Sequence, residues 1–330
     1  MNQVYAKLPY SLQFAAINFY GLNVRRKRYT PKFKNILEQY KKIDKQAVHY
    51  LNFSRIKDIT EGSPFYSIDG PESFYKLPLL TKDLAARFYE KIVNKDHMIT
   101  SLSTSGTTSA PFRMPVSRDF IYNQWAVFWK FRMIHGLNLD SWCAYFIGKP
   151  VVAKERITPP YWIKSYPTKQ LLFSIFHINR NTVESYLDEI KKNKIRWLHA
   201  YPSVLNLLAE LIEEKGLYKK AKELGLSLIT TSSEVLLELQ KNNIESIFGC
   251  RIRQLYGLTE GVANIFECEH GRLHVDENFS FVEFIKDEQS IPFYKIVGSH
   301  YFNKAFPLIR YDTGDLAIPD ESGQACPCGR

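Results

Sequence analysis

The chain has 330 residues, 45% hydrophobic and 24% charged, with a formal net charge of +10. This composition excludes a disordered or low-complexity chain, and the length suits one large domain or two moderate ones. No run approaches the roughly 18 to 20 consecutive apolar residues of a membrane-spanning helix. The opening Met1-Asn2-Gln3-Val4-Tyr5-Ala6-Lys7 also lacks the apolar core of a signal peptide, so a cytoplasmic protein is expected. Five cysteines, an odd number in a long chain, do not make a disulfide framework, and the close pair Cys326 and Cys328 suits a metal better than a bridge. The positive charge favours an acidic partner: a nucleotide, a nucleic acid or an anionic membrane surface. Part of it lies in Arg25-Arg26-Lys27-Arg28 with Lys32 and Lys34. Such a run is ordinarily a solvated face and no nucleic-acid motif accompanies it. A nucleic-acid partner is therefore not expected, while weak membrane-surface contact and a homodimer stay open.

Residues 1–90 read as mainly helical. Phe33, Ile36, Leu37 and Tyr40 recur at helical spacing, and prolines at 31, 64, 71 and 78 mark turns. Next comes a run of hydroxyls around one glycine, Ser101 to Pro111, containing Ser103-Thr104-Ser105-Gly106-Thr107-Thr108. Backbone N–H groups and small hydroxyls can close around phosphate oxygens, although a polar surface linker has the same composition. The aromatic segment Phe120 to Phe131 then places Trp125, Phe128, Trp129 and Arg132 at helical spacing, as in a buried core helix.

From Val183 the pattern sharpens. Val183, Tyr186, Leu187 and Ile190 form a helical stripe, and Ile195 to Ala200 reads as a strand. Pro202 opens a helix carrying Leu205, Leu208, Leu211 and Ile212. Leu226 to Thr231 reads as a strand, Val235 to Phe248 as a helix ended by Gly249, and Arg251 to Leu255 as another strand. This alternation predicts an α/β chain with a parallel sheet and helical crossovers, in which ligands gather at the carboxyl ends of the strands. The turns Tyr201-Pro202-Ser203, Thr231-Ser232-Ser233-Glu234 and Tyr256-Gly257-Leu258-Thr259-Glu260 all follow strands. Between 273 and 320, short β-rich runs predict a smaller β subdomain.

Three motifs stand in a fixed order: Ser103 to Thr108, Tyr256 to Glu260, and Arg310-Tyr311-Asp312-Thr313-Gly314-Asp315. Together they resemble the adenylate-forming enzymes. The ending Cys326-Pro327-Cys328-Gly329-Arg330 and the opening Val4 to Gln13 narrow the resemblance to the phenylacetate coenzyme A ligase branch and its CapK-like relatives in capsular polysaccharide biosynthesis. The resemblance implies the large N-terminal body of that fold, with parallel-containing sheets flanked by helices and a small β subdomain. The expected division is a helical part at 1–90, an α/β core binding nucleotide and acyl group at 91–270, and a β-rich part at 271–330.

The implied activity is that of an AMP-forming acid-thiol ligase. A carboxylic acid reacts with ATP to give an acyl-adenylate, and the acyl group then passes to coenzyme A, in service of polysaccharide biosynthesis. Such chemistry depends on positioning and charge neutralisation. By resemblance Ser103, Thr104, Ser105, Gly106, Thr107 and Thr108 hold the β- and γ-phosphates. Thr259 contacts the α-phosphate, and Glu260 holds Mg²⁺, a hard cation suited to carboxylate oxygen. Asp315 accepts from both ribose hydroxyls, while Tyr256 with Gly257 and the Ser232-Ser233-Glu234 turn line the adenine slot. The acyl pocket is expected near Tyr201, Ser232 and Gly261.

Two features depart from the pattern. Many adenylating loops continue Gly-x-Pro-Lys, whereas this chain reads Ser109-Ala110-Pro111-Phe112, leaving Arg113 as the next cation. Relatives also continue past the Gly-Arg hinge into a lid domain carrying a catalytic lysine, and these 330 residues end at Arg330. The expectation is nucleotide binding with weak adenylation, and the alternative is a non-catalytic nucleotide-binding module or partner subunit. Finally, Cys268, Cys326, Cys328 and either His270 or His274 have the residue types of a tetrahedral zinc site. His274 is preferred because Gly271-Arg272-Leu273-His274 looks like the family's segment. Reduced cysteines packed as small hydrophobes are the alternative, and Cys143 and Cys250 read as core.

Overall fold

The structure is a computed structural model that describes residues 5, 7–42, 51–103, 113–286, 292–318, 320 and 324–330. Among them the strands are β1 (Thr100–Ser103), β2 (Arg113–Val116), β3 (Cys143–Ile147), β4 (Trp162–Ser165), β5 (Gln170–Ser174), β6 (Trp197–His199) and β7 (Leu228–Thr231). Then follow β8 (Ile252–Gly257), β9 (Asn264–Glu267), β10 (Leu273–Val275), β11 (Ser280–Lys286), β12 (Tyr294–His300) and β13 (Tyr311–Ala317). The chain divides into two compact units, one of Met1–Thr30 with His135–Leu255 and one of Pro31–Ile134 with Tyr256–Arg330.

In the first unit the strands run in the order β8-β7-β6-β3-β5-β4. β7 pairs in parallel with β6 and β8, and β3 in parallel with β5 and β6, while β4 closes the edge antiparallel to β5. The expected crossovers are present: the helix Pro202–Glu214 leads from β6 and Glu238–Phe248 leads from β7 to β8. Pro202 occupies the first helical turn, where its missing N–H leaves no bond unmade, and Gly249 caps the second helix at φ +61°. The stripe read from sequence lies on the helix Val183–Lys192, with Val183, Tyr186, Leu187 and Ile190 at 1% exposure or less. Burying each of the three aliphatic side chains is worth about 1.5 to 3 kcal/mol. They join Leu205, Leu208 and Ile212 in a core that covers one face of the sheet.

In the second unit the aromatic segment forms the helix Arg118–Ile134, which packs on Pro31–Lys42. Phe33, Leu37 and Tyr40 are buried from one side and Phe120, Trp129 and Phe131 from the other. Lys130 is buried with them and forms a 2.9 Å ion pair with Asp276; burial holds its pKa below the ordinary lysine range in spite of that partner. β11, β12 and β13 form an antiparallel sheet, the small β part expected from the sequence, and β1 pairs antiparallel with β2. Gly298 in β12 could not be another residue without displacing backbone, because an added Cβ would lie 2.1 Å from the Val262 carbonyl oxygen. Cys143 and Cys250 are core residues. No helix among the described residues is long and apolar enough to cross a membrane.

Candidate functional site

In the second unit, β8 ends in the turn that carries Thr259 and Glu260. Gly261 follows at φ +64°, a left-handed conformation that also brings the backbone so close to Phe120 that a Cβ would sit 2.4 Å from its ring. This turn drives Glu260 inward, to 7% exposure, where the Tyr311 hydroxyl donates to its Oε1 across 3.2 Å. Burial pushes the Glu260 carboxyl above its ordinary pKa, partly countered by its own backbone N–H, by Tyr311 and by the charge of Lys82. Thr259 stays half-exposed beside it.

The Arg310–Asp315 motif meets the same turn. Tyr256 donates its hydroxyl to Asp315 Oδ2 across 2.8 Å. Asp315 is held by local bonds: its N–H donates to Thr313 Oγ1 (3.1 Å), and that hydroxyl donates to the Ile296 carbonyl (2.8 Å). Asp312 Oδ1 accepts from the Gly314 N–H at 3.0 Å, an Asx turn within the strand. Arg310 anchors the motif, donating to both oxygens of Glu283 (3.0 and 3.1 Å) and to the carbonyls of Tyr75 and Leu77. The sequence motifs contain Arg310 and Tyr311, but their roles as anchor and as Glu260 partner follow only from the fold.

Of the hydroxyl loop, Ser103 ends β1 opposite Arg113 of β2. Thr104, Ser105, Gly106, Thr107, Thr108 and the Ser109–Phe112 run lie outside the described residues.

In the first unit, the Ser232-Ser233-Glu234 turn follows β7, with Ser233 at φ +71°. Both Glu234 oxygens accept from Ser203, one from its N–H and one from its hydroxyl, each at 3.0 Å. The acid therefore caps the helix that begins at Pro202, where a negative charge is favoured by the helix dipole. Sequence reading also missed a polar aromatic cluster near the strand ends: His199 stacks on Tyr145 with centroids 4.8 Å apart, and its Nδ1 meets Thr230 Oγ1 at 2.8 Å. The Tyr201 ring lies so close to Gly148 that a Cβ there would come within 3.1 Å of it. Thr231 Oγ1 is buried with no hydrogen-bond partner among the described residues.

The cysteines converge in the second unit. The ligand atoms of Cys268, His274, Cys326 and Cys328 all lie within 4.8 Å of one another, with Cys268 Sγ 3.7 Å from Cys326 Sγ and Cys328 Sγ 3.4 Å from His274 Nε2. Zn–S bonds of about 2.3 Å set tetrahedrally put two sulfurs about 3.8 Å apart, so the spacing fits that ion. The β9–β10 hairpin presents Cys268 and His274, and the turn closed by the Gly329 N–H to Cys326 carbonyl bond (2.9 Å) presents the other two. His270 is exposed and outside the cluster. Arg330 lies 4.9 Å over the Phe266 ring, and Arg272 donates to the Gln324 carbonyl at 2.8 Å, tying the two halves together.

Residues 36–281 match the family described as AMP-binding enzyme. The chain belongs to this family. Among its relatives, Protein CapK of Staphylococcus aureus is 23% identical over 334 aligned positions, covering 96% of this chain and 72% of CapK. Among solved structures, 2-hydroxyisobutyryl-CoA ligase in its postadenylation state with R3-HIB-AMP superposes with a TM-score of 0.57 at 15% identity, covering 99% of this chain and 67% of that one. An open conformation of 2-hydroxyisobutyryl-CoA ligase, with 2-HIB-AMP and CoA, gives 0.56 at 16% identity, covering 99% and 74%. The fold of this AMP-binding chain is thus that of the body of adenylate-forming enzymes.

Proposed function

We propose that this AMP-binding chain takes ATP and a small carboxylic acid and forms an acyl-adenylate, which then acylates coenzyme A. The observation that carries the reading is the meeting of two motifs far apart in sequence. Tyr256 bonds to Asp315 and Glu260 to Tyr311, so an acceptor for ribose hydroxyls and a buried carboxylate lie on one short stretch of structure. In the first half-reaction a carboxylate oxygen attacks the α-phosphorus, the α–β phosphoanhydride breaks and pyrophosphate leaves. In the second the thiol sulfur attacks the acyl carbonyl, the bond to AMP breaks and the thiol proton is released.

Asp315 orients the ribose, Tyr256 and Gly257 border the adenine, and Thr259 contacts the α-phosphate. Ser103, Thr104, Ser105, Gly106, Thr107 and Thr108 grip the remaining phosphates. Glu260 is the fitting ligand for Mg²⁺: a buried carboxylate with one hydroxyl donor gains from a hard cation that offsets its desolvation. When bound, Mg²⁺ neutralises phosphate charge. A Zn²⁺ held by Cys268, His274, Cys326 and Cys328 would be structural, with all four positions closed by protein. A place in polysaccharide biosynthesis is the finer proposal, supported by the likeness to CapK.

Carboxylate-dependent exchange of labelled pyrophosphate into ATP tests the reading across a panel of aryl, alkyl and hydroxy acids. Exchange with at least one acid is expected, and Asp315→Ala should abolish it. Ser109 and Phe112, in place of a glycine and a lysine, favour a second reading, a module that holds adenine nucleotide without turnover. That reading predicts calorimetric AMP binding with no exchange for any acid.

A further inference from the structure

The helix Tyr10–Arg28 carries two apolar faces, and only one of them is packed. Tyr10, Phe14, Ile17 and Gly21, spaced three or four apart, face the protein beside Val151, Val152 and Ile163. The seat is specific: Tyr10 donates its hydroxyl to the Trp162 carbonyl (3.1 Å), and Asn18 donates to the Lys164 carbonyl (3.0 Å) and accepts from the Tyr166 N–H (3.0 Å). At Gly21 an added Cβ would come within 2.9 Å of Ser165 Oγ.

The opposite face repeats the same period in solvent. Leu12 is 52% exposed, Phe19 77%, Tyr20 66% and Leu22 52%, with Ala15 and Ala16 between them. One turn further the same side presents Arg26 and Lys27, both exposed. No acidic residue occurs from Tyr10 to Arg28, and the last turn holds Arg25, Arg26, Lys27 and Arg28. A helix that is apolar on both sides is ordinarily buried on both.

We propose that this outer face docks on an anionic lipid bilayer, with Leu12, Phe19 and Leu22 entering the interface and Arg26 and Lys27 meeting the headgroups. Apolar side chains that enter the interface, together with basic ones that attract anionic lipid, are what holds a helix on a membrane surface, and here the face turned away from that surface is packed on the protein. Charge decides among occupants. A second copy of this chain also carries +10 and offers no acid on this helix to answer the basic turn. A nucleic acid would answer the basic turn but leave Leu12, Phe19 and Leu22 against phosphate and water. An anionic bilayer answers both ends of the face at once.

The test is co-sedimentation of the 330-residue chain with vesicles of phosphatidylcholine alone or of phosphatidylcholine with about one third phosphatidylserine. Binding to the anionic vesicles is expected, with little to the neutral ones. Each basic residue near the surface contributes roughly fivefold in partitioning, so Arg26→Glu with Lys27→Glu should weaken binding by at least twentyfold, as should high salt. Phe19→Ser with Leu22→Ser should weaken it at least tenfold. All four positions are solvent-facing, so circular dichroism and the melting curve of each variant should match those of the unaltered chain. No binding to anionic vesicles, or binding that both double variants retain, overturns the proposal. A dimer in analytical ultracentrifugation that dissociates on Phe19→Ser overturns it in favour of a second copy.

Discussion

The Tyr256 phenol donates to Asp315 Oδ2 across 2.8 Å, joining residues 59 positions apart. Asp315 is exposed, and in the proposed reading it accepts from the ribose hydroxyls. A hydrogen bond to a charged group is worth about 1.5 to 3 kcal/mol, so Asp315→Ala should weaken AMP binding by about ten- to a hundredfold in calorimetry. Tyr256→Phe removes one neutral donor and leaves the carboxylate in place. It should cost about tenfold or less. Equal affinity in the unaltered chain and in Asp315→Ala would show that the ribose lies elsewhere.

Glu260 should display opposite effects on stability and on ligand. Its folded pKa is raised by burial, so the unfolded chain loses its proton first as pH rises, and above that range the ionised carboxylate destabilises the fold. Glu260→Gln should therefore raise the melting temperature at pH 7 while abolishing the Mg²⁺ enhancement of ATP binding. In the unaltered chain that enhancement should fade on acidification at a higher pH than an exposed glutamate would impose. A variant that loses stability and keeps Mg²⁺ dependence would contradict this assignment.

Much of this site is legible in the sequence because its parts are local. Tyr256 to Glu260 and Arg310 to Asp315 are short motifs whose turns are set by their own residues: Gly261 at positive φ, and Asp312 and Thr313 bonding two residues onward. The parallel sheet is legible for the same reason, since Val183 to Ile190 and Leu205 to Ile212 repeat at the helical period. What the sequence hides is pairing at long range. Nothing near Glu234 tells that Ser203 takes both its oxygens, and nothing near His199 announces Tyr145 or Thr230. The outer face of Tyr10–Arg28 is hidden for another reason: its two apolar stripes blur the period that marks a half-buried helix.

His300 sets an acid limit on stability. It is fully buried in β12 near Phe120, and the Leu308 N–H donates to its Nε2 at 3.3 Å, so the folded ring is neutral. Burial lowers its pKa to about 4 from 6.5. Between these values the unfolded chain binds the proton and the folded chain does not, so stability falls as pH drops from about 6.5 towards 4. The full effect corresponds to about 3 kcal/mol. Urea midpoints measured at pH 7 and pH 5 should differ, and His300→Gln should reduce that difference. A midpoint independent of pH across this range would remove His300 as the cause.

The four ligands at Cys268, His274, Cys326 and Cys328 lead to a prediction about folding. Two come from a hairpin and two from the turn near Arg330, about 50 positions later, and among the described residues Arg272 to Gln324, Arg272 to Asp320 and Arg330 over Phe266 also join those segments. A metal closing so long a loop contributes its binding energy as folding energy, because the unfolded chain has no preformed site. Elemental analysis should find about one zinc per chain, and removal by a strong chelator should lower the melting temperature of the unit that holds β9 to β13. Cys326→Ser should produce the same loss without chelator, whereas Cys143→Ser, in the core and outside the cluster, should leave the zinc content unchanged. If the protein holds no zinc and Cys326→Ser melts like the unaltered chain, the four side chains are packed as reduced core residues and the hairpin is held by its hydrogen bonds alone.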